Sequence, residues 1–293
     1  MKFINYENVA LLFLTLPVTK ITSFVVPTST TQYNSQHSVF TQMAASSSSV
    51  EEETEVISPR KLGLALQLDD GTRKSHSLAE NTAFVSGFFK GLSTRVAYRS
   101  LLTSLYFVYL EMESSFDTTV DESVKALDYP ELRRLGAIKK DMSYFYGSDW
   151  ESSKNSIKPS FATQTYVSRI KEVSITSPHL LIAHQYSRYL GDLFGGQMMS
   201  GMASRSLKLE ESKGVQFYEF DDLDLSVNKF IDLWYTKLNA LDLTDKQKQE
   251  IVDEANYVFA LNIGIFEELD GNSLKAMWTI AISLLKSKLG LVA

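Results

Sequence analysis

His76 and Glu80 stand four residues apart, a spacing that places both on one face of a helix. An imidazole so placed can bind a metal through one nitrogen while the carboxylate holds the other and fixes the tautomer. The same spacing also suits a solvated surface ion pair, and the pair alone leaves both readings open. The chain has four histidines and no cysteine, so disulfides, thiolate ligands and thiol nucleophiles are excluded, and His and carboxylates are the only strong metal ligands left. Of the other histidines, His179 follows Pro178 at a helix start, His184 reads as structural, and His37 belongs to the front segment.

A second constellation is Tyr186-Ser187-Arg188-Tyr189-Leu190-Gly191-Asp192-Leu193-Phe194-Gly195-Gly196-Gln197, three glycines in a run that is otherwise helical. Each interior glycine costs about 1 kcal/mol relative to alanine, roughly 3 kcal/mol in all, so some other gain must offset it. One source is a kink that lets backbone lie against a large flat ligand; the other is close crossing of a neighbouring helix. Spacing does not choose between them.

The elements that position these residues read as helices. Six prolines and fourteen glycines are few for 293 residues, and the glycines cluster, which favours an all-α chain. Apolar spacing predicts helices over Leu62–Ser75, weakly broken at Asp69-Asp70-Gly71, and over Leu78–Phe89. An amphipathic helix follows over Tyr98–Phe116, then one opened by Pro130 and running to Tyr146. Further helices are expected over Ser160–Lys171, from Pro178 through His184 to Leu209, over Leu225–Leu241, over Thr244–Leu269 between a cap and the Gly271-Asn272 stop, and over Ser273–Leu289. The last carries Lys275, Lys286 and Lys288, so it reads as a packed amphipathic helix and not a membrane anchor.

Ahead of this domain, Val9–Val18 is a short apolar run of signal-peptide length, and Phe24–Val50 carries no charged residue and is rich in Ser, Thr and Gln. The expected organisation is a signal peptide over 1–23, a transit-peptide-like segment over 24–55 and one domain over 56–293. Ser23-Phe24-Val25-Val26-Pro27 resembles the Phe-containing cleavage site of bipartite plastid-targeting presequences, with a plain secretory signal as the alternative. Removing it would take Lys2 and Lys20 against Glu7, Glu51, Glu52, Glu53 and Glu55, so the formal charge of −6 falls to mild acidity. Neither value suits a nucleic-acid binder.

Gly191-Asp192-Leu193-Phe194-Gly195-Gly196-Gln197, with Tyr186 and Arg188 ahead of it, resembles the distal-helix signature of heme oxygenases. His76-Ser77-Leu78-Ala79-Glu80-Asn81-Thr82-Ala83-Phe84 resembles their proximal-helix signature, closest to cyanobacterial and plastid members. Leu105-Tyr106-Phe107-Val108-Tyr109 and Glu254-Ala255-Asn256-Tyr257-Val258-Phe259, then Asn262 and Phe266-Glu267-Glu268-Leu269, follow the same order. The resemblance spans about Leu64 to Ser283.

It implies a single-domain helical fold with heme, both substrate and cofactor, between a proximal and a kinked distal helix. His76 would be the iron ligand and Glu80 its orienting partner. Asp192 would organise water for proton delivery, with Arg188, Tyr109 and Asn262 completing the network; next to Arg188, Asp192 is expected to stay ionised. Gly191, Gly195 and Gly196 would lie against the distal face with Tyr186 and Ser187, while Phe84, Phe88, Phe259 and Phe266 line the pocket. The implied reaction yields biliverdin, ferrous iron and carbon monoxide from heme and O2. It implies ferredoxin as electron donor, docking on a basic rim for which Arg73, Lys74, Arg133, Arg134, Lys139 and Lys140 are candidates. A monomeric stromal enzyme feeding a downstream bilin reductase completes the expectation.

The chain departs from the family pattern where basic residues normally meet the two propionates: the aligned positions are Asp69, Ile231 and Tyr235. Arg73, Lys74, Lys229 and Lys237 lie within about a turn and are candidates to compensate. Phe194 adds bulk where a small serine is common. The alternative these changes raise is a non-catalytic relative that binds heme weakly or takes another tetrapyrrole. A di-iron oxidase built on Glu80, Glu111, Glu113, His184 and Asp192 is a third reading, against which the chain shows no Glu-x-x-His pair.

Overall fold

The protein's computed structural model describes residues 57–152 and 157–288, apart from the side chains of 196–198, 273, 287 and 288. The expected presequence, His37 included, lies outside the described residues. Every regular element among the described residues is helical: α1 (Gly63–Glu80), α2 (Ala83–Phe89), α3 (Arg95–Thr118), α4 (Glu122–Lys125), α5 (Leu135–Tyr146), α6 (Phe161–Thr176), α7 (Leu181–Gln185), α8 (Gly191–Leu207), α9 (Val227–Asn239), α10 (Asp245–Leu269) and α11 (Ser273–Lys288), with short 3-10 turns and one π-helical turn between them. None of the helices is long and apolar enough to cross a membrane.

The centre is α10, against which α1, α2, α3, α6, α7 and α11 pack. Its start is fixed by a capping box: the Thr244 hydroxyl accepts from the Gln247 amide at 3.3 Å while the Gln247 side chain accepts from the Thr244 N–H at 3.0 Å. Buried positions then run from Ile251 to Glu267 on nearly every face, as a core helix requires. At the crossing with α11, a Cβ on Gly264 would come 2.7 Å from Ile280 Cδ1, so this glycine is a packing requirement.

Three expectations are corrected in detail. The helix bearing His76 does not break at Asp69-Asp70-Gly71; α1 continues to Glu80 and stops where Thr82 caps α2. Gly71 is there because a Cβ would lie 2.6 Å from Val252 Cγ1 on α10. Pro130 opens only a 3-10 turn, Pro130–Leu132, and α5 starts at Leu135. The long helix expected from Pro178 is divided into a 3-10 turn at Pro178–Leu180, α7, a π-helical turn at Tyr186–Leu190 and α8. The extra residue of a π turn shifts the helix face at Arg188, and such turns commonly mark functional sites.

Candidate active site

Helices α1, α2 and α10 form one wall of a cavity of about 490 Å³, and the π turn with α8 forms the other. His76, Glu80, Phe84, Phe88, Phe259 and Phe266 line the first wall; Ser187, Arg188, Gly191, Asp192 and Gly195 line the second. The volume is within the range of small-molecule and cofactor sites. Phe84 stacks on Phe266 at 5.7 Å with planes 9° apart, and Phe259 meets the His76 ring edge-on at 5.6 Å. The ligand wall is therefore flat and aromatic.

His76 Nδ1 lies 3.5 Å from Glu80 Oε2, and both side chains are more than half exposed. The carboxylate thus faces one ring nitrogen and leaves Nε2 as the nitrogen for a ligand. In contrast, the polar groups of the opposite wall are bonded to one another and across to α3 and α10. Arg188 donates through Nη2 to both Asp192 oxygens, at 2.9 and 3.2 Å, and through Nη1 to Asn262 Oδ1 at 2.9 Å. The Tyr109 hydroxyl donates to Asp192 Oδ2. Asn262 is itself fixed by donating to the Val258 carbonyl at 2.9 Å. The four residues expected to form this network are brought together from α3, the π turn, α8 and α10.

The expectation that Asp192 stays ionised beside Arg188 is opposed by its burial. Burial pushes its carboxyl above the ordinary carboxylate value, with the Arg188 charge and the Tyr109 hydrogen bond opposing. Burial also raises the Tyr109 phenol well above its usual range. The result is a buried carboxylate whose charge is balanced by Arg188 and whose orientation is fixed by Tyr109.

The glycines are now separable by use. A Cβ built on Gly191 or Gly195 would meet no atom within 4 Å, so helix crossing does not explain them; both open onto the cavity. Gly196 continues the same helix. Ser187 Oγ and Arg188 Nε, on two residues that line the cavity, are buried with no hydrogen-bond partner among the described residues.

A smaller recess of about 330 Å³ adjoins the cavity and shares Arg60, His76, Ser187, Gly191, Phe194 and Phe259 with it. Tyr186, expected at the site, lines this recess, as do Asp69 and Tyr235; Ile231 is buried in the core. Arg73 reaches the recess, but Lys74, Lys229 and Lys237 are exposed and line neither space. Phe194 is half exposed, beneath the Arg60 guanidinium at 5.5 Å, so its bulk turns toward the recess. Sequence reasoning missed Arg60, which precedes α1, and Phe217 and Tyr218, which enter the cavity wall from the loop after α8. That loop is held by Asp141, whose carboxylate accepts from the Gln216 and Phe217 N–H groups at 3.0 and 2.8 Å.

The di-iron reading fails on placement. Glu113 accepts from the Arg134 and Leu135 backbone, Glu111 pairs with Lys171, and His184 with Glu254. Among the described residues no three such side chains converge.

The heme oxygenase family model matches residues 62–268. The chain belongs to the heme oxygenase family. It is 40% identical over 224 residues to the heme oxygenase of Porphyra purpurea, covering 76% of this chain and 93% of that protein. It is also 40% identical over 223 residues to the heme oxygenase of Guillardia theta, covering 76% and 92%. The heme complex of heme oxygenase-1 from the cyanobacterium Synechocystis superposes with a TM-score of 0.68 at 40% identity, covering 76% of this chain and all of that one. Family membership thus joins the all-helical fold, and the non-catalytic alternative is not favoured.

Proposed function

We propose that the chain oxidatively cleaves heme to biliverdin, ferrous iron and carbon monoxide, using O2 and electrons from a ferredoxin, in a plastid. The observation that carries this reading is His76 set across one cavity from Arg188 and Asp192, which are bonded to Tyr109 and Asn262. The residues fit heme: an aromatic wall that carries a histidine, and two facing glycines with nothing before them. When bound, heme supplies the iron at which oxygen is activated and the meso carbon that is oxidised.

The remaining chemistry belongs to the chain. His76 would hold the iron through Nε2, with Glu80 keeping the proton on Nδ1. Gly191 and Gly195 let backbone approach the macrocycle, and the phenyl groups exclude water from its other face. Arg188 orients Asp192, whose carboxylate would order the water through which a proton is delivered. Tyr109 and Asn262 fix that geometry.

The ferredoxin partner rests on charge. Of the expected rim, Arg134 is buried, Arg133 is committed to Asp117 and Asp128, and Lys139 pairs with Glu151. Arg73 pairs with Asp70, and exposed Lys74 and Lys140 remain as the docking cations. Relatives from a red alga and a cryptophyte support the plastid location and hence a bilin reductase downstream. The test is the full chain with hemin, ferredoxin, its reductase and NADPH. Decay of the heme spectrum into that of biliverdin is expected; an unchanged heme spectrum under turnover conditions contradicts the reading.

A further inference from the structure

Heme carries two carboxylate tails on one edge of an apolar disc, and a protein that takes it must place cations or donors at that edge. The sequence puts Asp69 where repulsion would result. The structure shows otherwise, because Asp69 does not face the recess as a bare charge.

Arg60 lies in the 3-10 turn Pro59–Lys61, ahead of α1. Its Nε and Nη2 donate to Asp69 Oδ1 at 3.2 and 2.5 Å, which leaves Nη1 for a ligand. The turn is fastened to α9: Asn239 donates to the Pro59 carbonyl at 2.8 Å and accepts from the Ala65 N–H at 3.0 Å. Arg60 lines both the cavity and the recess, so its guanidinium stands where the two meet. The Phe194 ring lies under it. Tyr235, nearly buried at 1% exposure, also lines the recess.

Building on the heme oxygenase reading, we propose that Arg60, held in place by Asp69 and assisted by the Tyr235 hydroxyl, binds the heme carboxylates and so sets how the ring enters the cavity. Asp69 then serves as the anchor of a cation supplied from another segment. The acid at this position and the arginine nine residues before it form a swapped pair. Arg73 is the weaker candidate, since it is mostly exposed and bonded to Asp70 at 2.5 Å.

The test compares hemin with its dimethyl ester, which keeps the ring and iron but lacks the anionic tails. Binding to the full chain is followed by absorbance titration and by transfer to apomyoglobin. Arg60→Ala is expected to weaken hemin about tenfold or more while leaving the diester within about twofold, which also shows that the variant is folded. Arg60→Lys should recover part of the loss. In the Arg60→Ala background Asp69 keeps only its longer 3.8 Å contact with Arg73, so adding Asp69→Asn should improve hemin binding several-fold, and adding Asp69→Arg should restore most of it. An Arg60→Ala protein that still prefers hemin to the diester as strongly as the wild type overturns the inference. Failure of the heme oxygenase reading would look different: hemin binding in the wild type with no dependence on His76, whatever Arg60 does.

Discussion

The two walls of the cavity are built on opposite plans. The wall bearing His76 and Glu80 is solvated, with its key pair 3.5 Å apart and no other polar tether on either side chain among the described residues. The facing wall has Arg188 and Asp192 largely withdrawn from water and joined by direct hydrogen bonds to Tyr109 and, across to α10, to Asn262. A metal–ligand bond is strong enough to fix a mobile imidazole once formed. Proton delivery depends on dipoles already oriented before the reaction, because reorientation during it would cost the barrier several kcal/mol. Order is therefore concentrated where no ligand bond will later supply it.

The sharpest way to break the contrast is on the ordered side. Asp192→Ala should lower the rate of biliverdin formation about 100-fold to 1000-fold, the scale of a lost general acid–base group, with hemin affinity changed by about twofold or less. Equal losses of binding and rate would mean that Asp192 holds the ligand and not the proton.

Glycine substitutions sharpen the same comparison. Gly264→Val drives a side chain into Ile280 and should destabilise the fold by about 3 kcal/mol in urea unfolding. Gly191→Val meets only open space, so its unfolding midpoint should stay close to wild type while hemin binding falls about tenfold or more. If both variants lose stability alike, the open space before Gly191 is not reserved for a ligand.

Asp141 tests the loop that completes the ordered wall. Burial pushes its carboxyl up to about 6, against two opposing backbone donors. A raised value means that the protonated form favours the folded state. Its contribution is full below about pH 4 and lost as the pH climbs through about 6, by up to about 3 kcal/mol for a shift of this size. The stability difference between wild type and Asp141→Asn should shrink accordingly from pH 4 to pH 7. A flat difference would show that the two backbone donors cancel burial.

The smallest effect is expected at the solvated pair. Glu80→Gln should cost well under about 1 kcal/mol in the absence of ligand, since an exposed ion pair contributes little, and should shift the hemin spectrum only slightly. A large loss of apoprotein stability would make the pair structural.

Much of this was legible in the sequence because it is local. The cap at Thr244, the His76–Glu80 spacing and the glycine cluster each act within a few residues. What escaped is non-local. Gly71 reads as a break until Val252 of α10 is placed against it. Arg134 reads as a surface cation, yet it is buried with its guanidinium over Phe220 and donating to the Glu219 carbonyl. Arg60 became a site residue only when the turn before α1 was fastened to α9 through Asn239. Asp69, read alone, is a repulsive substitution; read with Arg60, it is half of an ion pair.

The central claim is that His76 binds the iron of heme opposite a prebuilt proton-delivery network. It is tested most directly by the visible and resonance spectra of the full chain with hemin, wild type beside His76→Ala, with added imidazole as rescue. A sharp Soret band and histidine-ligand signature that vanish in His76→Ala and return with imidazole are expected. Identical spectra for the two proteins would contradict the account.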